Sequence, residues 1–120
     1  MGEFQKLRVW GLSKELAVDV YRIVQANPDF KRDLRFAGQI TSSAISVPSN
    51  IAEGDELKTN KQGINHLYIA KGSLAELKTQ IMIAYEVGLI DKTNSDQLLN
   101  KAEMISVALY KIIQARKNWK

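Results

Sequence analysis

Few side chains in this sequence are able to do chemistry. There is one histidine, His66, no cysteine, and two glutamates, Glu53 and Glu76, set inside otherwise apolar or small-residue runs. Glu53 and Glu76 could act as general acid and base if their segments lay side by side. Surrounded by serines and an asparagine, they read instead as hydrogen-bond acceptors within or between helices. His66 cannot be built into a serine–histidine–aspartate arrangement and reads as a helix-surface or interface residue. Without cysteine there is neither a thiolate zinc site nor a disulfide framework, and the Asp55-Glu56 pair lies too close to a helix end to define a metal site. Gly72 stands alone in a helical run, not in a phosphate-cradling loop. No catalytic residue, metal or cofactor is assigned, and the expected class is a non-enzyme.

Phosphate binding is the chemistry the remaining residues suggest. Lys71 and Lys78 are seven residues apart and share a helical side. The C-terminal "YKIIQARKNWK" sets Lys111, Arg116, Lys117 and Lys120 beside Tyr110 and Trp119. Cations can hold phosphates while aromatic rings stack on unpaired bases. The same cations at a helix C-terminus also favour the macrodipole, by about 0.3–1 kcal/mol each. The net charge of +4 and pI near 9.4 bias the protein towards acidic partners. The bias is uneven: residues 36–57 carry Glu53, Asp55 and Glu56 with no Lys or Arg, whereas residues 92–120 carry six basic side chains against Asp96 and Glu103.

Helices must position these groups. Leu12, Leu16, Val20 and Ile23 recur at steps of three and four, predicting a helix over about 9–26 that ends at Asn27-Pro28. Ala37, Ile40, Ala44, Val47 and Ile51 predict a second over about 31–56. Leu67, Ala70, Leu74, Leu77, Ile81 and Ala84 predict a third over about 60–88, opened by Thr59-x-x-Gln62 and stopped at Gly88. Leu98, Ala102, Ile105, Leu109 and Ile112 predict a fourth over about 94–118, with Asn94-x-x-Gln97 as a possible cap. Helices joined by short polar loops imply an all-α, antiparallel up-down-up-down four-helix bundle, a single domain over 1–120. The N-terminus has no signal or anchor pattern and no run is long enough to span a bilayer, so a soluble cytoplasmic protein without membrane contact is expected.

The second helix is unusual. Opposite its apolar stripe it carries Gln39, Ser42, Ser43, Ser46, Ser49, Asn50 and Glu53, where an exposed helix would normally be charged. Pro48 sits inside it, at a cost of about 3 kcal/mol in an ordinary interior, and is expected to kink or loosen it. Ser46, Asn50 and Glu53 share a side, and Glu53 is expected to accept hydrogen bonds from a neighbouring helix or subunit. The third helix adds Tyr68, Ile69, Ala75, Met82 and Ile83 beside its core stripe. Two helices neutral over most of their circumference predict self-association.

Three segments carry a resemblance to a known family. "LRVWGLSKELAVDVYRI", with Val9-Trp10, "QITSSAISVPSNIAEG", with Gln39, Ser46, Pro48, Asn50, Ile51, Ala52, Glu53 and Gly54, and "LYIAKGSLAELKTQIMIAYEVGLI", with Ala70, Gly72, Ser73, Glu76, Leu77 and Gln80, resemble the 23S rRNA intervening-sequence proteins. That resemblance implies a four-helix bundle assembled as a ring-shaped homopentamer, with Gln39, Ser46, Pro48, Asn50, Glu53, Gly72, Ser73 and Glu76 in structural or subunit-interface roles. A related group, the accessory variability determinants of diversity-generating retroelements, binds nucleic acid and a reverse transcriptase. This chain departs from the pattern at Thr41, Ser42 and Ser43, where many relatives have an arginine, and at Asp55 and Glu56, where many have an aromatic and a basic residue. Both changes remove positive charge near the signature. Two functions follow as expectations: an accessory ring binding RNA or DNA nonspecifically through Lys71, Lys78, Lys111, Arg116, Lys117 and Lys120, or a protein-interaction scaffold without a nucleic-acid role.

Overall fold

Where the apolar spacing builds helices, the capping residues decide their ends. The computed structural model describes residues 7–56 and 59–118. Over these the chain forms α1 (Arg8–Ala26), α2 (Pro28–Arg32), α3 (Leu34–Glu56), α4 (Asn60–Glu86) and α5 (Lys92–Lys117), with no strand among the described residues. The four long helices pack as a bundle in which α1 touches α3 and α5, and α4 touches α3 and α5. No Cα pair comes within 8 Å across either diagonal among the described residues. None of these helices is long and apolar enough to cross a membrane.

The predicted second helix proves to be two. Asn27 ends α1 and also caps α2, its side-chain oxygen accepting from the amides of Asp29 and Phe30, with Pro28 in the first turn, where its missing N–H is no loss. Asp33 then breaks the chain and recaps it: its carboxylate accepts from the Phe36 amide at 3.1 Å. The short α2 swings Phe30 under the bundle, fully buried and stacked on Phe36 with ring centroids 5.4 Å apart. Asn27 Nδ2 donates to the Leu89 carbonyl at 2.8 Å, pinning this corner to the α4–α5 loop. Asn27→Ala is expected to destabilise the fold by about 1–2 kcal/mol, since it removes two cap bonds and the cross-link together. Urea unfolding followed by circular dichroism would measure it.

Thr59 caps α4 through its hydroxyl, which accepts from the Gln62 amide at 3.2 Å. At the other end Gly88, at φ +83°, takes the left-handed conformation that lets the Leu89 and Ile90 amides reach the Ala84 carbonyl. The cap of α5 is Asp91, not Asn94; its carboxylate accepts from the Asn94 amide at 2.7 Å.

The core stripe of α4 is the expected one, with Leu67, Ala70, Leu74, Leu77, Ile81 and Ala84 all buried. Two other stripes are rotated. In α1 the buried line is Val9, Ser13, Leu16, Val20 and Val24, leaving Leu12 and Ile23 half-buried at its edge. In α5 it is Ile113, not Ile112, that is buried. α3 runs through Pro48 as a single helix, with the proline itself buried.

Candidate functional site

Small side chains on α3 let α4 come close, and a polar seam forms between them. Ser43 Oγ donates to Glu76 Oε1 at 2.8 Å, and the Ser46 and Ser73 hydroxyls meet at 2.8 Å. Asn50 Nδ2 donates to the Ser46 carbonyl and to its hydroxyl, at 2.9 and 3.0 Å. Asn50 Oδ1 lies 3.0 Å from His66 Nδ1, and Glu53 Oε2 lies 3.3 Å from the same nitrogen. Two acceptors facing Nδ1 place the ring proton there, so His66 donates into the seam. At its end the backbones touch: a Cβ on Gly54 would lie 2.9 Å from the Gly63 carbonyl oxygen.

This corrects the reading of the serine-rich face as wholly outward. Ser43, Ser46 and Asn50 belong to the contact with α4 inside one chain, because the seam lies to one side of the core stripe, not opposite it. Gln39, Ser42, Ser49 and Glu53 are the members that remain exposed. Glu53 and Glu76 sit on different rungs, ten residues of helix apart when Glu76 is referred to its partner Ser43, which is about 15 Å along the axis. The two carboxylates are therefore not brought together as an acid–base pair. Among the described residues no group of three or more His, Cys, Asp and Glu could hold a metal ion.

Arg116 is a second correction. It was expected on the surface but is only 9% exposed. Its Nε donates to Asn60 Oδ1 at 2.9 Å and its Nη2 to the Gly54 carbonyl at 3.4 Å, while Asn60 Nδ2 donates back to the Arg116 carbonyl. The guanidinium thus ties the end of α5 to the start of α4 and the end of α3. Position 116 continues the stripe Leu98, Ala102, Ile105, Leu109, and that spacing was the signal available for it. Gly63 and Asn60, which complete this knot, escaped the sequence reading.

The other expected phosphate contacts divide into groups. Lys117 places its ammonium 5.3 Å from the centroid of Tyr68, and Tyr68 is 42% exposed. Lys71, one turn further along α4, and Tyr110 on α5 are exposed as well. Lys111 is exposed on another flank of α5, where it lines an apolar groove against α1 together with Arg8. Lys78 is not free, since its ammonium pairs with Glu103 at 2.9 Å. Lys120 and Trp119 lie outside the described residues. Glu53, Asp55 and Glu56 close α3 at the same end of the bundle.

Helix α4 also carries a neutral outer face, on which Ile69, Met82 and Ile83 are 45–48% exposed. Gly72 lies among them with nothing within 4 Å of where a Cβ would stand, so no contact among the described residues explains a glycine there.

Comparison with known proteins bears on the family and the fold. A family model described as the 23S rRNA-intervening sequence protein matches residues 5–111. A crystal structure described as a protein with unknown function from the S23 ribosomal protein family of Bacteroides thetaiotaomicron VPI-5482 superposes with a TM-score of 0.79 at 23% identity. The match covers 88% of this chain and 97% of that one; at that identity the likeness speaks for the fold. No curated protein matches the chain.

Proposed function

The chain belongs to the 23S rRNA-intervening sequence protein family, and from that premise we propose that it is a non-enzymatic, oligomeric accessory protein that holds RNA or DNA without sequence preference. The observation that carries this reading is the surface where Lys117 lies over Tyr68, with exposed Lys71 one turn along α4 and exposed Tyr110 two turns back along α5. Cations beside exposed rings suit unpaired nucleotides, because phosphates take the charge and bases take the ring faces. Lys111 and Arg8 extend the positive charge around α5. A homopentameric ring would repeat this surface and carry a formal charge of about +20, enough to draw nucleic acid from a distance. Such a ring would work in the cytoplasm beside a nucleic-acid enzyme, for which a reverse transcriptase is the candidate.

Labelled single-stranded RNA, followed by anisotropy, tests the residues. Lys117→Glu and Lys71→Glu are each expected to weaken binding about tenfold, and Tyr68→Ala by a similar factor through lost stacking of about 1–3 kcal/mol. Lys78→Glu should act mainly by breaking its pair with Glu103. Equal affinity across all these variants would overturn the assignment.

The proposed subunit contact is the neutral outer face formed by Gln39, Ser42, Ser49, Ile69, Gly72 and Ile83. Gly72→Ala is expected to stabilise the isolated chain by about 0.4–1 kcal/mol while weakening self-association, read as molar mass against concentration in light scattering. A protein-interaction scaffold is the second reading. The groove between α1 and α5 favours it: the lining is apolar, with Val9, Leu12, Met104, Val107 and Ile112, and Arg8 and Lys111 are without partners among the described residues.

A further inference from the structure

A polar pocket of about 430 Å³ opens between α3 and α4 at the far end of the seam from His66, lined by Arg35, Gly38, Gln39, Ser42, Ser43, Glu76 and Gln80. Its chemistry is unfinished. Gln80 is 9% exposed and its Oε1 is buried with no hydrogen-bond partner among the described residues. A buried amide oxygen left unpaired costs about 1–3 kcal/mol, so such an atom normally marks a missing donor. One turn away on the same helix, Glu76 spends Oε1 on Ser43, and its Oε2 makes no hydrogen bond among the described residues. An exposed carboxylate and a buried, unpaired amide oxygen therefore belong to residues that line one opening. Gln39 and Ser42 add side chains that can donate or accept, and neither is otherwise engaged among the described residues.

We propose that this pocket binds a cationic nitrogen donor, a guanidinium or primary ammonium, between the Glu76 carboxylate and the Gln80 amide oxygen. A neutral donor would satisfy Gln80 alone. A cation satisfies both, and a charge-assisted bond to a carboxylate is about twice as strong as a neutral one. A planar guanidinium, with five N–H groups, can reach the two acceptors together. The other cation in the lining is Arg35. Its backbone lies eight residues before Ser43 on α3, about 12 Å along the axis, and the residue is exposed. Arg35 has no partner among the described residues and suits a carboxylate carried with the cation.

The donor has two sources of the same chemistry: a free amino acid such as arginine, or an Arg or Lys side chain of a second copy of this chain. The second source rests on the self-assembly proposed above, since Gln39 belongs to the suggested contact face. The two ideas fail separately in one experiment. The full-length protein is titrated with L-arginine, with its uncharged analogue L-citrulline and with agmatine, which lacks the carboxylate. Heat is followed by calorimetry and molar mass by light scattering, on wild type, Glu76→Gln and Gln80→Leu. Circular dichroism checks that each variant is folded.

If a second copy supplies the donor, wild type self-associates, millimolar arginine dissociates it and citrulline does not. Glu76→Gln then raises the concentration needed for assembly by about tenfold. If the donor is free, arginine binds with agmatine weaker and citrulline weaker still, Glu76→Gln loses the binding, and assembly is unaffected. A monomeric wild type that still binds arginine through Glu76 would end the ring and keep the pocket. Folded variants that assemble like wild type, with no heat from arginine, would overturn the pocket proposal even if a ring forms.

Discussion

Gly63→Ala is expected to lower the melting temperature by roughly 5–15 °C, from a loss of about 1–3 kcal/mol by overpacking. The added Cβ would stand 2.7 Å from the Gly54 carbonyl oxygen and 2.5 Å from Arg116 Nη2. Neither neighbour can give way cheaply. The carbonyl is backbone of α3, and the guanidinium is held by Asn60 and by that same carbonyl. The mutation therefore pushes α3 and α4 apart at this close backbone approach and loosens the end of α5 with them. Thermal unfolding by circular dichroism measures the loss, and Gly11→Ala in α1, where nothing lies within 4 Å of the added Cβ, is the matched control that should not destabilise. A Gly63→Ala protein as stable as wild type would mean that the two backbones do not approach in this way.

Arg116→Ala is expected to cost about 2–4 kcal/mol, again read by thermal or urea unfolding. It leaves the Asn60 side chain and the Gly54 carbonyl short of a donor in a buried place and opens a cavity where the long side chain packed. Its effect on nucleic acid should follow its effect on folding. At a temperature where the variant is still folded, RNA affinity is expected to fall less than for Lys117→Glu, because the guanidinium is not presented to solvent. A stable, fully folded Arg116→Ala protein that binds RNA far more weakly than Lys117→Glu would reverse that assignment and return Arg116 to the surface.

The parts of the fold legible in the sequence were those with only one apolar row to choose. α4 offers one unbroken three-and-four stripe, and every member of it is buried. In α1 and α5 two adjacent rows compete, Ile23 with Val24 and Ile112 with Ile113. Periodicity cannot separate neighbours that are both apolar; the position of the next helix decides. α2 is five residues long, too short to show a period, and Asn27-Pro28 reads equally as a stop and as a start. Asp91 and Asn94 are both good caps within a few residues, and only the backbone distinguishes them.

The candidate site was less legible because its residues act across helices. Ser43, Ser46 and Asn50 were recognised as unusual, but which side of α3 they occupy relative to α4 depends on packing. Their partners, Glu76, Ser73 and His66, lie 16 to 33 residues away. Arg116 was assigned to the surface because it is charged, although its spacing from Leu109 places it in the core stripe. Tyr68 looked like part of an apolar face, and only the juxtaposition of α4 with the end of α5 brings Lys117 over it. The absence of Lys and Arg from residues 36–57, beside Glu53, Asp55 and Glu56, was visible directly, and it is consistent with placing the proposed nucleic-acid surface on α4 and α5.

The measurement that tests the central claim most directly is the affinity of the assembled wild-type protein for single-stranded RNA, structured RNA and duplex DNA, by anisotropy, across a range of salt concentrations. The account predicts binding to all three that weakens linearly on a logarithmic plot against salt, with a slope that counts the phosphates neutralised, about one for each contacting cation. Folded protein that binds none of the three at low salt would contradict the account and leave the α1–α5 groove, as a docking surface for another protein, in its place.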